Sequence, residues 1–368
     1  VKTYCGEGSQ RIRLETFGWN GFFEAHFRSE DVTGLCPARV AADYGQSLRL
    51  YSEHGELRGE TSGRMRHDAR SREDLPAVGD WVVARPLLAE NKAIIERVLP
   101  RRSKFARKVA GFRSQQQIVG ANIDTAFVVV SLNQDFNLRR IERYVAAVWD
   151  SGATPAIILS KSDLCSDPDD RIESVRAVAL GVNVHAISSV TGSGLEELDE
   201  YFIEGRTIAL VGSSGVGKST LINRLVGSDL RRVLEIRADD DRGRHATTTR
   251  DLILLPTGSL VLDTPGMREL QLWDAEDGLK EVFDDVESLA SECRFSDCSH
   301  KSEPGCAVKN ALDRGVIDIA RLESFEKLQK ESDFFELRQR LGAKRAEKQR
   351  WKKALDMATN KPGRKGGF

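Results

Sequence analysis

Four short segments of the chain carry residue types and spacings that suit a nucleotide, and a fifth suits a metal ion. Gly212-Ser213-Ser214-Gly215-Val216-Gly217-Lys218-Ser219 matches G-x-x-x-x-G-K-[ST]. Glycines at those positions let the backbone curl until several N–H groups point at phosphate oxygens. The N-terminus of the helix that follows adds positive potential. Lys218 is then expected at the β- and γ-phosphates, Ser219 on Mg²⁺, and Thr220 beside it in the same turn. Further on, Asp263-Thr264-Pro265-Gly266 offers a carboxylate that can hold Mg²⁺ through water and an amide, that of Gly266, that can sense the γ-phosphate. Earlier in the chain stands Ser160-Lys161-Ser162-Asp163. The Asp163 carboxylate suits the guanine N1–H and exocyclic amine. Adenine lacks that donor pair, so an unpaired carboxylate would reject ATP. Lys161 would lay its stem over the base. Guanine-reading motifs commonly carry Asn where this chain has Ser160, so loss of the amide predicts weaker support of that loop. Ser188-Ser189-Val190 completes the set as a short base-contacting loop.

The fifth segment is Cys293-x₄-Cys298-x-His300-x₅-Cys306. Three thiolates and one imidazole are the ligand set of a closed, tetrahedral, structural Zn²⁺ site. With all four positions filled by protein there is no place for a hydrolytic water, so the expected role is structural. Cys5, Cys36 and Cys165 lie far off in sequence and read as incidental.

Elements must position these residues. Thr125–Leu132, Ala156–Leu159, Val182–Ile187, Thr207–Val211 and Leu260–Asp263 are apolar β-runs. Leu138–Asp150 between them shows helical spacing, with Ile141, Val145 and Val148 on one face. Such alternation predicts an α/β domain with a largely parallel sheet. The phosphate-binding pattern follows the strand at 207–211 and precedes the helical Leu221–Leu225, as its chemistry requires. Ahead of this domain, Val40, Leu48, Leu50, Val82, Val83, Ile94 and Ile95 fall in short runs between turn signals, which predicts a small β-barrel. The first residues, with Gly18-Trp19-Asn20 and Phe22-Phe23, read as an arm that packs on something larger. A helical stretch is expected around Ile319–Leu341 and a disordered basic end beyond it. The expected boundaries are an arm at 1–36, the barrel at 37–112, the α/β domain at 113–280, a zinc-binding helical domain at 281–343 and a basic tail at 344–368.

Motif order adds information. In ordinary GTPases the phosphate loop comes first and the guanine-reading motif later. Here 160–163 and 188–189 precede 212–219, and 263–266 comes last. The same sheet can be built from a circularly permuted chain. The second switch is then followed directly by the C-terminal domain.

With these motifs in this order, the chain resembles the ribosome small-subunit-dependent GTPases, the RsgA or YjeQ family, over roughly residues 15–340. The resemblance implies an OB-fold first domain, a circularly permuted P-loop GTPase domain and a zinc-binding helical domain. It also implies GTP hydrolysis stimulated by the small ribosomal subunit, in late assembly of that subunit, with binding to its rRNA. Many GTPases orient water with a Gln just after the switch II glycine. Met267 stands there and has no suitable group. The family carries a Gly-rich loop ending in His-Thr-Thr-Thr, and by that match His245 is the expected catalytic residue. Ala246 replaces the first Thr, and Thr247 becomes the switch I threonine on Mg²⁺ and the γ-phosphate.

Composition narrows the alternatives. In 368 residues there are 55 Lys and Arg against 56 Asp and Glu, a formal net charge of −1, which excludes a uniformly basic nucleic-acid binder. Positive charge gathers locally, at 64–72, at 97–113, and at 344–368 with nine basic residues against two acidic ones. Such patches suit docking on one structured RNA surface. No run approaches the roughly 18 apolar residues of a membrane span, and the first residues carry no apolar signal-peptide core. A cytoplasmic monomer with one Zn²⁺, and Mg²⁺ accompanying GTP or GDP, is the expectation. Two other classes compete with it. A P-loop ATPase or nucleotide kinase is disfavoured by Asp163 and the permuted order. A nucleotide-regulated RNA-binding protein would show little turnover.

Overall fold

The structure, a computed structural model, describes residues 13–28, 32–108, 116–133, 136–226, 250–263, 282–295, 298–301 and 303–329, with the backbone alone at 107, 108, 116, 250 and 263. Strands β1 (Cys36–Asp43), β2 (Leu48–Ser52) and β3 (Gly55–Thr61) form an antiparallel meander. The β2–β3 connection is a two-residue turn at Glu53-His54, with Gly55 at φ 101°, a conformation that favours glycine. β4 (Trp81–Leu87) pairs antiparallel with β1 and with β5 (Lys92–Val98), and β5 runs parallel to β3. The ring closes as a five-stranded barrel filled by Ala38, Val40, Leu50, Leu57, Val82, Ala84 and Ile95. One parallel pair in an otherwise antiparallel closed ring is the OB-fold arrangement.

The residues ahead of β1 pack on this barrel through a short turn, Leu14–Phe17, and helix α1 (Gly21–Phe27). Phe17 stacks on Tyr51 at 4.6 Å and Trp19 meets Trp81 edge-on at 4.7 Å. Buried Arg39 of β1 donates to the carbonyls of Phe17, Gly79 and Asn122 and to Thr207 Oγ1. Burial lowers its pKa to about 10, against the pull of Asp124 and Asp80.

Two basic segments differ from their sequence reading. Residues 64–72, read above only as a basic patch, include most of helix α2 (Gly63–Asp68), capped by Ser62 Oγ accepting the Met65 N–H at 3.1 Å. In the connector at 97–113, Arg101 makes a bidentate ion pair with buried Asp80, at 2.8 and 2.7 Å, and donates to the carbonyls of Glu73 and Leu75. Arg97 donates to His26 and Phe27 carbonyls, Arg102 pairs with Asp124, and Lys104 with Glu73. Those four cations are held by the protein itself. Their partners come from distant parts of the chain, which is why local sequence does not reveal them.

Past a two-stranded ladder of β6 (Lys104–Lys108) and β7 (Gln116–Ala121) comes the α/β sheet. β8 (Thr125–Ser131), β9 (Thr154–Ser160), β10 (Asn183–Ala186), β11 (Thr207–Val211) and β13 (Leu260–Asp263) run parallel, in the order β10-β9-β8-β11-β13. β12 (Arg250–Leu254), which hydrophobic pattern alone does not pick out, is antiparallel on the β13 side. Helices α3 (Leu138–Asp150), α4 (Pro168–Val178) and α5, over 218–226, connect or flank the strands. Phe127, Ile158, Ile208, Leu210, Leu221 and Val261 form its buried core. The C-terminal ends of β9, β11 and β13 all carry predicted nucleotide motifs, where open α/β sheets bind ligands.

The described residues between 282 and 329 belong to a separate unit and are largely helical. It contains α6 (Asp284–Ser291), α7 (Ala307–Asp313) and α8, over 319–329. Phe283 packs against Phe325 at 5.4 Å, and Arg321 lies 4.3 Å over the Phe283 ring while pairing with Asp285 at 3.0 Å. The expected helix around 319–341 is thus present to residue 329, and the rest lies outside the described residues.

Candidate nucleotide site and metal centre

β11 delivers the chain into the phosphate loop at Gly212, whose φ is 139°. A Cβ there would lie 2.2 Å from the Val129 carbonyl oxygen, so only glycine fits between the loop and β8. Gly215 and Gly217 also take positive φ, 80° and 97°. Val216 is buried and anchors the loop, while Ser214, Gly215, Ser219 and Thr220 are exposed. Lys218 Nζ donates to the Gly212 carbonyl at 2.6 Å and to that of Ser213, which lays the ammonium across the loop. Ser219 and Thr220 lie in the first turn of α5, where free amides gather.

The segment after β9 is tied directly to this loop. Ser160 Oγ donates to the Val216 carbonyl at 2.5 Å, with the Val130 carbonyl 3.3 Å away. Lys161 Nζ donates to the Gly215 carbonyl at 2.8 Å. The missing amide at 160 therefore does not leave the loop unsupported, because a short buried hydroxyl–carbonyl bond supports it. Lys161 adopts the left-handed region, φ 60°, which is uncommon outside glycine and turns the chain into the single turn Ser162–Leu164. Asp163 is exposed in that turn. The Ser162 N–H donates to the Ile187 carbonyl at 3.0 Å, joining this turn to the next loop. There Ser188 is buried, its N–H donating to the Ser193 carbonyl and its Oγ accepting the Thr191 N–H at 3.1 Å, with Ser189 half-buried beside it. Thus 160–163, 188–189 and 212–219, up to 59 residues apart in sequence, meet at one end of the sheet.

Sequence reasoning missed Arg140. Its Nη1 lies 3.0 Å from Ser213 Oγ of the phosphate loop. A signal was present: Arg139 and Arg140 sit in the first turn of α3, where a positive charge opposes the helix dipole. Of the remaining predicted residues, the Asp263 backbone ends β13, next to β11. His245, Thr247 and Gly266 lie outside the described residues.

In the helical unit, Cys293, Cys298, His300 and Cys306 bring one ligand atom each to within 4.8 Å of one another. A tetrahedral ion about 2.3 Å from sulfur and about 2.0–2.1 Å from nitrogen would set S–S edges near ~3.8 Å and S–N edges near ~3.6 Å. The Cys293–Cys306 sulfurs are 3.8 Å apart, and His300 Nδ1 is 3.6 Å from Cys293 Sγ and 3.5 Å from Cys306 Sγ. Desolvation raises the Cys293 thiol, but the Val308 and Ala307 amides at the start of α7 outweigh it and hold the thiol low. For Cys298, the His300 amide pulls down, yet desolvation and the Cys306 and Cys293 sulfurs push it up to about 11. Three sulfurs and one ring nitrogen at these separations match a tetrahedral ligand set, so donor chemistry and spacing both fit a metal ion. His300 holds φ 60°, a second non-glycine residue in the left-handed region at a candidate site.

A parallel sheet with a phosphate loop, base-reading loops that precede it in the chain, an OB barrel and a Cys₃His module define a circularly permuted P-loop GTPase. The family model RsgA GTPase matches residues 98–273. Small ribosomal subunit biogenesis GTPase RsgA of Opitutus terrae is 44% identical over 351 residues, 93% of this chain and 96% of that relative. A crystal structure of YjeQ from Thermotoga maritima aligns with TM-score 0.61 and 26% identity over 81% of this chain and 98% of its own. The crystal structure of YloQ, described as a circularly permuted GTPase, shares the fold at TM-score 0.58 and 22% identity, over 83% of this chain and 98% of its own. The chain belongs to the RsgA GTPase family, and it is a GTP-hydrolysing enzyme.

Proposed function

We propose that this protein hydrolyses GTP in the biogenesis of the small ribosomal subunit, and that docking on that subunit and its rRNA stimulates the reaction. The observation that carries the reading is the direct tie of Ser160 and Lys161 to the Val216 and Gly215 carbonyls, which places a guanine-type motif against a phosphate loop. The names of the relatives supply the ribosomal partner. In this assignment Gly212–Thr220 cradle the phosphates, and Lys218 neutralises the β- and γ-oxygens. Lys161 and Asp163 bind guanine, with Ser162, Ser188 and Ser189 shaping the pocket. Ser219 and Thr247 would hold Mg²⁺, with Asp263 through water, and Gly266 senses the γ-phosphate. Bound Mg²⁺ supplies neutralisation of charge on the phosphates. His245 orients the attacking water, a task Met267 cannot perform.

Cys293, Cys298, His300 and Cys306 would hold one Zn²⁺, with a structural role. The domain assignment is an arm at 1–36, an OB barrel at 37–112, the GTPase at 113–280, the zinc module at 281–343 and a basic tail at 344–368, in a monomeric chain. Among the described residues no helix is long and apolar enough to cross a membrane. A factor that acts on the small subunit works where that subunit is assembled, and the proposed site of action is the cytoplasm.

The test is co-sedimentation of the full chain with purified small subunits, loaded with a non-hydrolysable GTP analogue, GDP or an ATP analogue. The GTP-analogue form should co-migrate and the other two should not. Equal association in all three states would contradict the proposal. His245→Ala should bind GTP like the wild type yet hydrolyse it at least about 10²-fold more slowly on the subunit, the usual contribution of such a group. Near-normal stimulated turnover would remove His245 from the chemistry.

A further inference from the structure

The hydrogen-bonded sheet of the barrel continues into the sheet of the nucleotide site. β1 pairs antiparallel with β12, Ala42 opposite Asp251 and Asp43 opposite Arg250. Two barrel side chains reinforce this short ladder. Arg49 Nη2 lies 3.2 Å from Asp251 Oδ1, and the Tyr51 hydroxyl donates to the Leu252 carbonyl at 3.3 Å. The Arg49 guanidinium also stands 5.8 Å from the Tyr51 ring centroid. The pair is sheltered, with the Arg49 side chain 14% exposed and that of Asp251 32%. Sheltered pairs are felt more strongly than surface ones when one partner is removed.

β12 in turn pairs with β13, Asp251 standing opposite Asp263 and Leu252 opposite Leu262. Arg49 therefore grips the residue in register with the acidic end of β13. In sequence, Arg250 follows Thr247 by three positions and Asp263 begins the D-T-P-G segment. A slip of β12 by one residue would reverse its faces and break this match.

We propose that Arg49 and Tyr51 of the barrel are positioning residues for GTP hydrolysis, acting through the register of β12 against β13. The inference rests on the nucleotide site proposed above and assigns the barrel a part in turnover. The contacts described for Arg49 and Tyr51 go to Asp251 and Leu252 of β12, so their removal should change the hydrolytic step and spare nucleotide affinity.

The experiment uses the full chain as wild type, Arg49→Ala, Tyr51→Phe and the exchanged pair Arg49→Asp with Asp251→Arg. Hydrogen exchange of residues 250–254, GDP affinity and single-turnover GTP hydrolysis with and without small subunits are measured. Arg49→Ala should speed exchange at 250–254 and slow stimulated hydrolysis, each by about 10-fold, the effect of losing one partner of a sheltered pair. GDP affinity should stay within about 2-fold, and the exchanged pair should recover much of the rate, which a merely destabilised barrel would not show. Tyr51→Phe keeps the ring and removes one hydrogen bond, so it should shift exchange and rate in the same direction by about 2- to 5-fold. It decides the matter should Arg49→Ala fail to fold. Unchanged exchange, or faster exchange with an unchanged hydrolysis rate, overturns the proposal. Absence of stimulation in the wild type would count against the ribosomal partner alone. The exchange data and the unstimulated rate would then judge the positioning role.

Discussion

Removing the Ser160 hydroxyl takes from the Val216 carbonyl its side-chain donor, in a place where both residues are buried. An unsatisfied buried acceptor costs about 1–3 kcal/mol, and here the cost falls on the curvature of the phosphate loop. Ser160→Ala should weaken GDP binding by about 10-fold in a fluorescent-nucleotide titration, while Ser160→Asn should bind closer to wild type. Asp163 is the residue proposed to read the base. In Asp163→Asn an amide faces the guanine edge, and GTP affinity should fall at least about 10²-fold from unpaired polar groups, with a relative gain for xanthosine triphosphate. Unchanged GTP binding would remove Asp163 from the site. The phosphate-loop pattern was legible in sequence because curling a backbone round phosphates needs glycine and lysine at fixed offsets, and the structure sets it between β11 and α5. Arg140 showed in sequence only as an unfavourable charge in the first turn of α3, and folding brings it to its partner Ser213, 73 residues away.

The metal module and the strand ladders belong to the scale of elements. If an ion holds the ends of Cys293–Cys306 together, a strong chelator should loosen α6 and α7. Hydrogen exchange should then rise across 282–329, and GDP affinity of the same sample should stay near its starting value. A chelated protein with unchanged exchange there would argue for three ordinary thiols. The bounds of α3, β11 and β13 agree with the sequence reading residue for residue, since long apolar runs between polar turns leave little choice of register. α2 was missed because its surface is arginine-rich and its stability comes from the Ser62 cap. β12 was missed because it opens on two charged residues, Arg250-Asp251, which leave only Leu252-Ile253-Leu254 as an apolar signal, and because its partners are β1, more than two hundred residues earlier, and β13. The connector cations show the same limit. Arg101 looks like a solvated charge until Asp80, buried on the barrel side, supplies both of its carboxylate oxygens.

Over the whole molecule, permutation changes what lies next to what. The barrel precedes the base-reading loops in the chain, yet its first strand lies against β12, which follows the phosphate loop. Positive charge on the arginines of 64–72 remains displayed, with the Arg64 side chain 90% exposed, whereas part of the connector charge is spent internally. An RNA surface would thus meet the barrel, and the barrel meets the nucleotide sheet through a hydrogen-bonded ladder. On the proposed function, turnover is slow for the chain alone and faster when it is docked. The decisive measurement is the rate of GTP hydrolysis by the full chain with and without purified small ribosomal subunits, with ATP as control. Turnover of GTP should rise at least about 10-fold on the subunits, as expected when docking orders a catalytic group, and ATP should not be hydrolysed. A GTP rate that the subunits leave unchanged, or equal hydrolysis of ATP, would contradict a guanine-specific, ribosome-stimulated enzyme.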